Sequence, residues 1–414
     1  MIVIHDVNDS AIPRVVAATL AERLRVMPVV VVTGTRQTGK STLVRNFSAT
    51  PRLYRTLDDL DVAEIAQREP ELLVGGDQAL IIDEIQRAPA LLRAIKRAVD
   101  VRRKPGRFLL TGSANLALMK EASESLAGRA SYLTLWPMTR REQAGLGRCG
   151  LWDALLEAPD AMWPAILGAE AEAPEDWRQA VRRGGFPTPA LHLRTARERA
   201  IWFDGYVRTY LERDLQVLSS IAALPDFRRL MRAAALRLGQ LVNQTELGRD
   251  VAMPQPTVHR YLNLMETSYL LVRLPAYAVN RTKRLIKTTK LYWGDVGLAR
   301  FLAGDDVEPS GAHLENLVLQ DLLVWRDARL DAAEICYWRT SNGEEVDLVV
   351  EAGGRLLPIE IKATGRPRLT DAVHLRTFRA EYGSTCRPGL LLHSGSTIEW
   401  LAPDVLAVPW WRVI

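Results

Sequence analysis

The stretch VVVVTGTRQTGKSTLVRNF, residues 29–47, decides the fold of the first part of the chain. It reads as an apolar strand, then the loop Gly34–Ser41, then a helix. The loop matches the pattern GxxxxGK[ST], in which two glycines let the backbone curl so that successive N–H groups point at phosphate oxygens. The following helix adds the positive end of its dipole. The stretch therefore predicts a nucleotide triphosphate site.

The loop residues have distinct predicted roles. Lys40 can reach the β- and γ-phosphates, and the Ser41 hydroxyl can ligate magnesium. The predicted nucleotide-binding set is Gly34, Thr35, Arg36, Gln37, Thr38, Gly39, Lys40, Ser41 and Thr42.

A second segment, ALIIDEIQ at residues 79–86, supports the same site. Asp83 ends an apolar strand, and open α/β sheets place their ligands at that end of their strands. Asp83 is predicted to hold the magnesium shell, and Glu84 to polarise the attacking water. The strand expected at Leu53–Leu57, between the loop and Asp83 along the chain, fits the additional-strand class of these folds.

A third segment, RFLLTGS at residues 107–113, predicts another strand with hydroxyl side chains at its end. Either Thr111 or Ser113 could lie between the γ-phosphate and the water, or cap the strand end without a catalytic role. We favour a sensing role for one of them.

The chain alternates short apolar runs with helical patterns over its first 140 residues, which is typical of a parallel α/β sheet. Further strands are expected at Val29–Thr33, Ala79–Asp83, Phe108–Gly112 and Tyr132–Leu135, and a helix at Ala90–Val101. The predicted division is an ATPase domain over 1–145, a helical boundary region over 146–200, a helical region over 201–280 and an α/β domain over 281–414.

The composition limits the classes of protein to which the chain can belong. The 414 residues are 48% hydrophobic and 25% charged, which are globular values. No apolar run reaches the roughly 18 residues that a membrane span needs, and the N-terminus has no signal-peptide pattern. Three scattered cysteines suit a reducing compartment, so we expect a cytoplasmic protein with no membrane partner.

Residues 244–271 predict a helix–turn–helix. One helix ends before the turn at Met253-Pro254, and a second opens near Gln255 with an apolar face. In a winged helix of this kind, DNA would meet Gln255, Thr257, His259 and Arg260, with phosphate contacts from Arg281 to Lys290. The alternative is a module that packs between domains or binds protein. The net charge of +5 permits nucleic-acid binding without establishing it.

The C-terminal part predicts a hairpin that carries acids and a lysine. Asp347 lies on its first strand, and Glu360 and Lys362 share one face of the second. Paired carboxylates can hold a hard divalent cation, and a lysine beside them can orient or deprotonate water. Exposed charges on a simple hairpin would explain the same residues.

Four motifs together resemble a known family. GTRQTGKST, LIIDEIQ, LLTGSAN and ESLAGR are similar to the prokaryotic AAA-type ATPases that carry a conserved C-terminal domain of unknown function. GGFPTP (184–189), YVRTYLERD (206–214), KLYWGDVGLA (290–299) and ENLV (315–318) resemble the second half of those proteins. The resemblance implies ATP rather than GTP, with Mg²⁺.

The resemblance also implies a role for Arg129, because AAA-type ATPases often complete their site with an arginine from a neighbouring subunit. Arg129 could serve in that way in a homo-oligomer, or bond a carbonyl at a helix end.

The hairpin resembles the metal-dependent nuclease core written PD-(D/E)xK. In that resemblance Asp347 and Glu360 are metal ligands, Lys362 is the catalytic lysine, and Glu315 on the preceding helix matches an extra acid. Val346-Asp347 replaces the leading Pro-Asp pair.

The expected fold is therefore a P-loop NTPase parallel sheet of AAA type, a winged-helix-like region and a C-terminal α/β restriction-endonuclease-like domain. Three functions are open: a DNA-associated ATPase, an ATP-dependent conformational switch that binds a protein partner through a catalytically silent nuclease-like domain, and an ATP-dependent nuclease. Glu84 favours hydrolysis over binding alone.

Overall fold

The first sheet is built from five short strands: β1 Val29–Thr33, β2 Leu53–Thr56, β3 Leu80–Asp83, β4 Phe108–Thr111 and β5 Ala130–Thr134. All neighbours are parallel, in the order β2-β3-β4-β1-β5. The structure is a computed structural model that describes residues 12–47, 51–112, 126–170, 173–211, 224–304 and 308–414, without the side chains of 210, 211 and 286.

Helices cover this sheet, and β1, β3 and β4 are therefore buried along their whole length. The helices are α1 Val16–Val26, α2 Lys40–Asn46, α3 Leu60–Arg68, α4 Pro70–Val74 and α5 Ala90–Val101. The predicted bounds of α5 are confirmed, and its buried side chains recur at helical spacing (Leu91, Leu92, Ile95 and Val99).

The strand that lies between β1 and β3 in the sheet is β4. The sequence interpretation gave the additional-strand role to Leu53–Leu57, and this is corrected, because Leu53–Thr56 is the edge strand next to β3. Order along the chain does not fix order in a parallel sheet, since each crossover helix can return its strand to either side.

Helices follow the first sheet: α6 Arg140–Gln143, α7 Trp152–Glu157, α8 Trp163–Ala169, α9 Trp177–Arg183 and α10 Ala196–Tyr206, with π-helical turns at Thr188–His192 and Val207–Leu211. Trp152, Trp163 and Trp177 are almost completely buried. The expected boundary region over 146–200 therefore contributes large side chains to a core.

A unit of four helices and a small sheet comes next, which we call the helix–turn–helix unit: α11 Leu224–Leu236, α12 Gln244–Asp250, α13 Gln255–Thr267, β6 Leu271–Leu274, α14 Arg281–Ile286 and β7 Lys290–Trp293. β6 and β7 are antiparallel, and Leu241 forms a bridge with Lys290. The predicted helix, turn and helix are confirmed as elements, and the predicted apolar face of α13 (Val258, Tyr261, Leu262 and Met265) is buried.

The C-terminal part contains α15 Val296–Ala303, α16 Gly311–Ala328, β8 Ala333–Arg339, β9 Glu345–Ala352, β10 Arg355–Lys362, α17 Val373–Tyr382, β11 Gly389–His393, β12 Glu399–Ala402, β13 Val405–Pro409 and α18 Trp410–Val413. Its strands form one mixed sheet in the order β12-β13-β11-β10-β9-β8. The predicted hairpin is confirmed as the antiparallel pair β9–β10.

One hydrophobic cluster joins the middle helices to the C-terminal sheet; it includes Trp163, Leu230, Leu319 and Leu392. The C-terminus is tied back as well, because Arg140 Nη1 donates to the carbonyl of Ile414 at 3.1 Å. The domain limits at 200 and 280 stay a prediction. No helix within the described ranges is long and apolar enough to cross a membrane.

Candidate nucleotide site and a C-terminal carboxylate cluster

The loop after β1 has the curled backbone that its glycines predict. Gly34 has φ +134°, and a Cβ there would lie 2.3 Å from the carbonyl oxygen of Leu135. Gly39 has φ +92° and is the residue before α2. Neither position accepts a side chain without strain. The loop is therefore held in the shape that a phosphate cradle needs.

The Lys40 side chain is buried within this loop. Its Nζ donates to the carbonyl oxygens of Thr35 at 2.6 Å and Gly34 at 3.2 Å. Burial lowers the pKa of the Lys40 ammonium to about 8, although the charge of Glu84 opposes the shift. A bound phosphate would supply the negative charge that this ammonium lacks in direct contact.

Asp83 lies at the end of β3, where three hydroxyls meet it. Ser41 Oγ donates to Asp83 Oδ1 at 3.0 Å, and the Tyr54 hydroxyl donates to Oδ2 at 2.6 Å. Thr111 Oγ1 also donates to Oδ1. The structure thus brings together Ser41, from α2, and Asp83, as expected for one magnesium site.

Glu84 has a left-handed backbone, with φ 59°. Its N–H donates to Thr111 Oγ1 at 3.2 Å, and Gln86 Nε2 donates to its carboxylate. Left-handed conformations are costly for residues with a Cβ and are found where surrounding contacts enforce them. The backbone and the carboxylate of Glu84 are both positioned by neighbours.

One buried hydroxyl of the loop is suited to contact a phosphate. Among the described atoms, the buried hydroxyl of Thr35 has no hydrogen-bond partner. The Thr38 hydroxyl donates to the Thr35 carbonyl at 3.0 Å and braces the loop itself. Of the other predicted residues, Arg36 is half-buried, while Gln37 and Thr42 are exposed.

A cavity of about 430 Å³ adjoins the loop on the side of Gly39 and Thr42. Its walls come from the segment before α1, from α2 and from the turn after Gly185; they include Ile12, Pro13, Leu43, Asn46, Phe47, Pro187, Thr188, Leu191 and His192. The cavity is mostly apolar with a few polar groups, as ligand pockets usually are.

A buried ion pair braces the loop from outside. Arg14 Nη1 donates to the carbonyl of Thr38 at 2.8 Å, and Arg14 Nε donates to Glu142 at 3.0 Å. Glu142 also belongs to a capping box with Thr139 at the start of α6. The sequence analysis did not find this pair, because the two residues are far apart along the chain.

Arg129 lies just before β5, at the opposite end of the sheet from the loop. Its Nε donates to Asp100 at 2.5 Å and its Nη1 to the carbonyl of Ala127 at 2.9 Å. This bond to a carbonyl is the alternative that the sequence analysis gave to a catalytic role of Arg129. An action of Arg129 on a neighbouring subunit stays a prediction. Ser113 lies outside the described residues, as do residues 212–214 of YVRTYLERD.

The predicted C-terminal residues come together with others that the sequence analysis missed. Lys362 Nζ donates to Glu360 Oε1 at 2.7 Å, and the N–H of Ile361 donates to Asp347 at 2.9 Å. The Tyr292 hydroxyl donates to Glu315 at 2.9 Å. We call Glu315, Glu345, Asp347 and Glu360 the carboxylate cluster.

Burial shifts the pKa values of three of these acids, Glu315, Asp347 and Glu360. Burial raises the pKa of Glu315 to about 8, and the charge of Asp347 adds to the shift. The same causes, in the same order, raise the pKa of Glu360 to about 8. Burial also raises the pKa of Asp347, against the charge of Lys290.

The cluster does not present a metal site as it stands. Within the described part of the chain, no three Asp, Glu, His or Cys side chains converge closely enough to hold an ion. One atom points to a missing partner, since Glu360 Oε2 is buried and has no hydrogen-bond partner among the described atoms. The metal role of Glu315, Asp347 and Glu360 therefore stays a prediction.

The residues predicted to meet DNA divide into two groups. On α13, Gln255, His259 and Arg260 are exposed and Thr257 is half-buried. The stretch Arg281–Lys290 was predicted to contact phosphates, and this is wrong for Arg284 and Lys290.

Arg284 is buried between Glu334 and Glu351, and Lys290 pairs with Glu345. These contacts keep both side chains from solvent, whereas Lys283 and Lys287 remain exposed.

Three domain models match the chain. The model of the AAA domain matches residues 27–144, a domain of unknown function (DUF8612) matches 174–308, and a second domain of unknown function (DUF4143) matches 310–413. The predicted resemblance of the first part to AAA-type ATPases is confirmed. The nuclease resemblance of the last part finds no such support.

Whole-chain relatives are similar to this protein over most of its length. Uncharacterized protein Rv2008c of Mycobacterium tuberculosis is 34% identical over 364 residues, which cover 86% of this chain and 74% of that protein. An uncharacterized protein of Haemophilus influenzae is 21% identical and covers 80% of this chain and 81% of its own length. Among solved structures, the Walker-type ATPase PABY2304 of Pyrococcus abyssi has a TM-score of 0.42 at 19% identity and covers 69% of this chain and 94% of its own.

Proposed function

We propose that the AAA domain of this chain binds and hydrolyses ATP. The premise is that the chain belongs to the same family as the uncharacterized mycobacterial protein Rv2008c. The observation that carries the proposal is Lys40, whose ammonium is buried against loop carbonyls and forms no ion pair with a carboxylate of the described residues. An ammonium in that setting is stabilised by an anion, and the N-terminus of α2 favours the same charge.

The roles follow from the contacts. Lys40, the Thr35 hydroxyl and the loop N–H groups would bind the phosphates, while Ser41 and Asp83 would hold magnesium. Magnesium, when bound, neutralises charge on the phosphates. Glu84, held by Gln86 and by its bond to Thr111, would accept a proton from the attacking water.

The cavity beside Gly39 is suited to the base and ribose, because it begins where the loop ends and has apolar walls. Leu191 lines this cavity. A Leu191→Arg change would fill it and raise the KM for ATP, but leave that for inorganic triphosphate unchanged. Ile201→Arg, on an exposed apolar residue outside the cavity, is the matched control.

Phosphate release with ATP and with GTP tests the activity itself. Lys40→Ala should lower the rate by about 10²-fold or more. Lys104→Ala removes an exposed lysine of the same domain and should have no effect. Equal rates for Lys40→Ala and the wild type would overturn the proposal.

We further propose that the ATPase acts with DNA through α11–α13 and the antiparallel pair β6–β7. Three helices followed by an antiparallel strand pair, with Leu241 bridging to β7, are typical of a winged helix, although here α14 lies between the two strands. Exposed Gln255, His259 and Arg260 lie on the second helix of the motif, and Lys283 and Lys287 add positive charge nearby.

Mobility shifts at several salt concentrations test the DNA proposal. Replacing Lys283 and Lys287 together by alanine should reduce the slope of log affinity against log salt by about 2. Arg194→Ala, outside the module, should leave the slope unchanged. Binding that is absent in the wild type, with no DNA stimulation of phosphate release, would favour the protein-binding switch instead.

A second candidate function is metal-dependent DNA cleavage by the C-terminal part. Glu360 Oε2, which is buried beside Lys362 and has no hydrogen-bond partner within the described part of the chain, favours it. Incubation of plasmid and linear DNA with Mg²⁺ or Mn²⁺ tests it, with Glu360→Ala and Lys362→Ala as inactive variants. Cleavage no faster than that of the double variant would remove this function.

A further inference from the structure

Tyr54 reaches Asp83 from the edge strand of the first sheet. In the parallel pair β2–β3, Thr56 lies opposite Asp83, and Tyr54 is two residues before Thr56 on the same face of β2. The Tyr54 ring packs on an apolar cluster that includes Val44 and Ile81. Its hydroxyl donates to Asp83 Oδ2 at 2.6 Å. An anchored ring therefore presents a donor to the carboxylate that is predicted to hold magnesium.

The two oxygens of Asp83 have different partners. Oδ1 accepts from Ser41 Oγ at 3.0 Å and from Thr111 Oγ1, while Oδ2 accepts from Tyr54. With a donor on each oxygen, rotation of the carboxylate about its Cβ–Cγ bond is restricted, so the bond at Oδ2 also fixes where Oδ1 points. Partners behind a metal-binding group orient it, and their loss typically lowers metal affinity roughly 10- to 100-fold.

Arg45, on α2, holds the Tyr54 hydroxyl from the other side. Its Nη2 donates to the hydroxyl oxygen at 2.6 Å, and its Cζ lies 4.4 Å from the centroid of the ring. A hydroxyl that accepts from a cation becomes a stronger donor, because successive hydrogen bonds polarise one another. Since α2 begins at Lys40, the chain of bonds from Arg45 through Tyr54 to Asp83 connects the helix of the phosphate loop to β3.

We propose that Tyr54 is a positioning residue of the nucleotide site, which orients Asp83 for the magnesium ion that accompanies ATP, and that Arg45 supports it. The hydroxyl acts through Asp83 and is not itself a metal ligand. The inference rests on the proposed ATP function. It assigns to Tyr54 a share of the magnesium affinity and no share of the affinity for nucleotide without magnesium.

Equilibrium binding of a fluorescent ATP analogue tests the inference without any hydrolysis. The affinity of each variant is measured in excess Mg²⁺ and in EDTA, and the ratio of the two affinities gives the contribution of magnesium. Tyr54→Phe keeps the ring and removes the donor, so it should lower this ratio about 10-fold and leave the affinity in EDTA unchanged. Arg45→Met should lower the ratio by less.

Tyr132→Phe is the matched control. Tyr132 lies on β5, the other edge strand of the same sheet, and its buried hydroxyl has no hydrogen-bond partner within the described part of the chain. Its ratio should equal that of the wild type. Arg45 is exposed, so Arg45→Met provides a second variant if Tyr54→Phe does not fold.

The inference is overturned if the folded variants keep the wild-type ratio. It is also overturned if the affinity of Tyr54→Phe falls equally in Mg²⁺ and in EDTA, because Tyr54 would then only maintain the shape of the loop. A wild type that binds the analogue in neither condition would overturn the proposed function together with the inference, so the two failures are distinct.

Discussion

The nucleotide site and the carboxylate cluster both bury charge, but they are assembled differently. The first takes most of its groups from one loop and helix, Gly34 to Thr42, with Asp83 and Glu84 added from β3. The second draws on β7, α16, β9 and β10. In the first, a lysine is surrounded by carbonyls; in the second, acids are surrounded by lysines. A site within one segment leaves a sequence pattern, and a site made from four segments leaves only scattered residues.

The largest expected effect tests whether the phosphate loop depends on a contact from outside its own sequence pattern. Arg14→Met removes the brace on the Thr38 carbonyl and leaves the buried Glu142 unpaired. We expect the free energy of unfolding to fall by about 3 kcal/mol. Denaturant unfolding measures it, and Arg25→Met, on an exposed pair in α1, should change little. If the free energy of unfolding falls as little as in the control, the loop keeps its shape without Arg14.

The next effect concerns chemistry within the local site. Glu84→Gln should keep nucleotide affinity and lower the rate of ATP hydrolysis by about 10²-fold, because the amide cannot accept the proton from water. Single-turnover phosphate release and equilibrium binding separate the two quantities. Glu69→Gln, an exposed glutamate of the same domain, is the control. An unchanged rate would remove Glu84 from the catalytic set.

The third prediction concerns the carboxylate cluster, whose buried acids should make the free energy of unfolding depend on pH. The pKa of Glu360 is raised to about 8 in the folded chain, so the folded state holds a proton that the unfolded state releases above about pH 5. The free energy of unfolding should therefore fall as pH rises from about 5 to 8. The slope from one such group is at most about 1.4 kcal/mol per pH unit.

Glu360→Gln should flatten this slope, and Glu399→Gln, on an exposed glutamate, should not. Urea unfolding at several pH values measures both. Parallel pH profiles for the wild type and Glu360→Gln would contradict the assignment.

The smallest effect tests a contact between the AAA domain and the helix–turn–helix unit. The hydroxyls of Thr33, at the end of β1, and Tyr269 lie 3.1 Å apart. Tyr269→Phe should reduce the free energy of unfolding by about 1 kcal/mol. Tyr132→Phe is the matched control, since the buried Tyr132 hydroxyl has no partner among the described atoms. Equal losses would mean that the hydrogen bond contributes nothing specific.

The sequence predicted the elements of the first sheet well, because buried strands and amphipathic helices have different periodicities. It placed the bounds of α5 and the turn of the helix–turn–helix correctly. It misplaced the additional strand, because strand order depends on which side each crossover returns. It also counted Arg284 and Lys290 as free cations, since their carboxylate partners, Glu334 and Glu351 for Arg284 and Glu315 and Glu345 for Lys290, are distant along the chain.

The sequence by itself determined the phosphate loop, because eight adjacent residues fix the curl, the lysine and the helix that follows. It also determined the place of the Asp83-Glu84 pair. The pair follows a buried strand of a parallel sheet, and the carboxyl ends of parallel strands all lie at the same edge of the sheet as the phosphate loop. Tertiary structure alone decided that Tyr54 and Thr111 bind Asp83, that Arg14 braces the loop, and that Lys290 enters the carboxylate cluster. Those contacts join segments distant along the chain, and no local pattern records them.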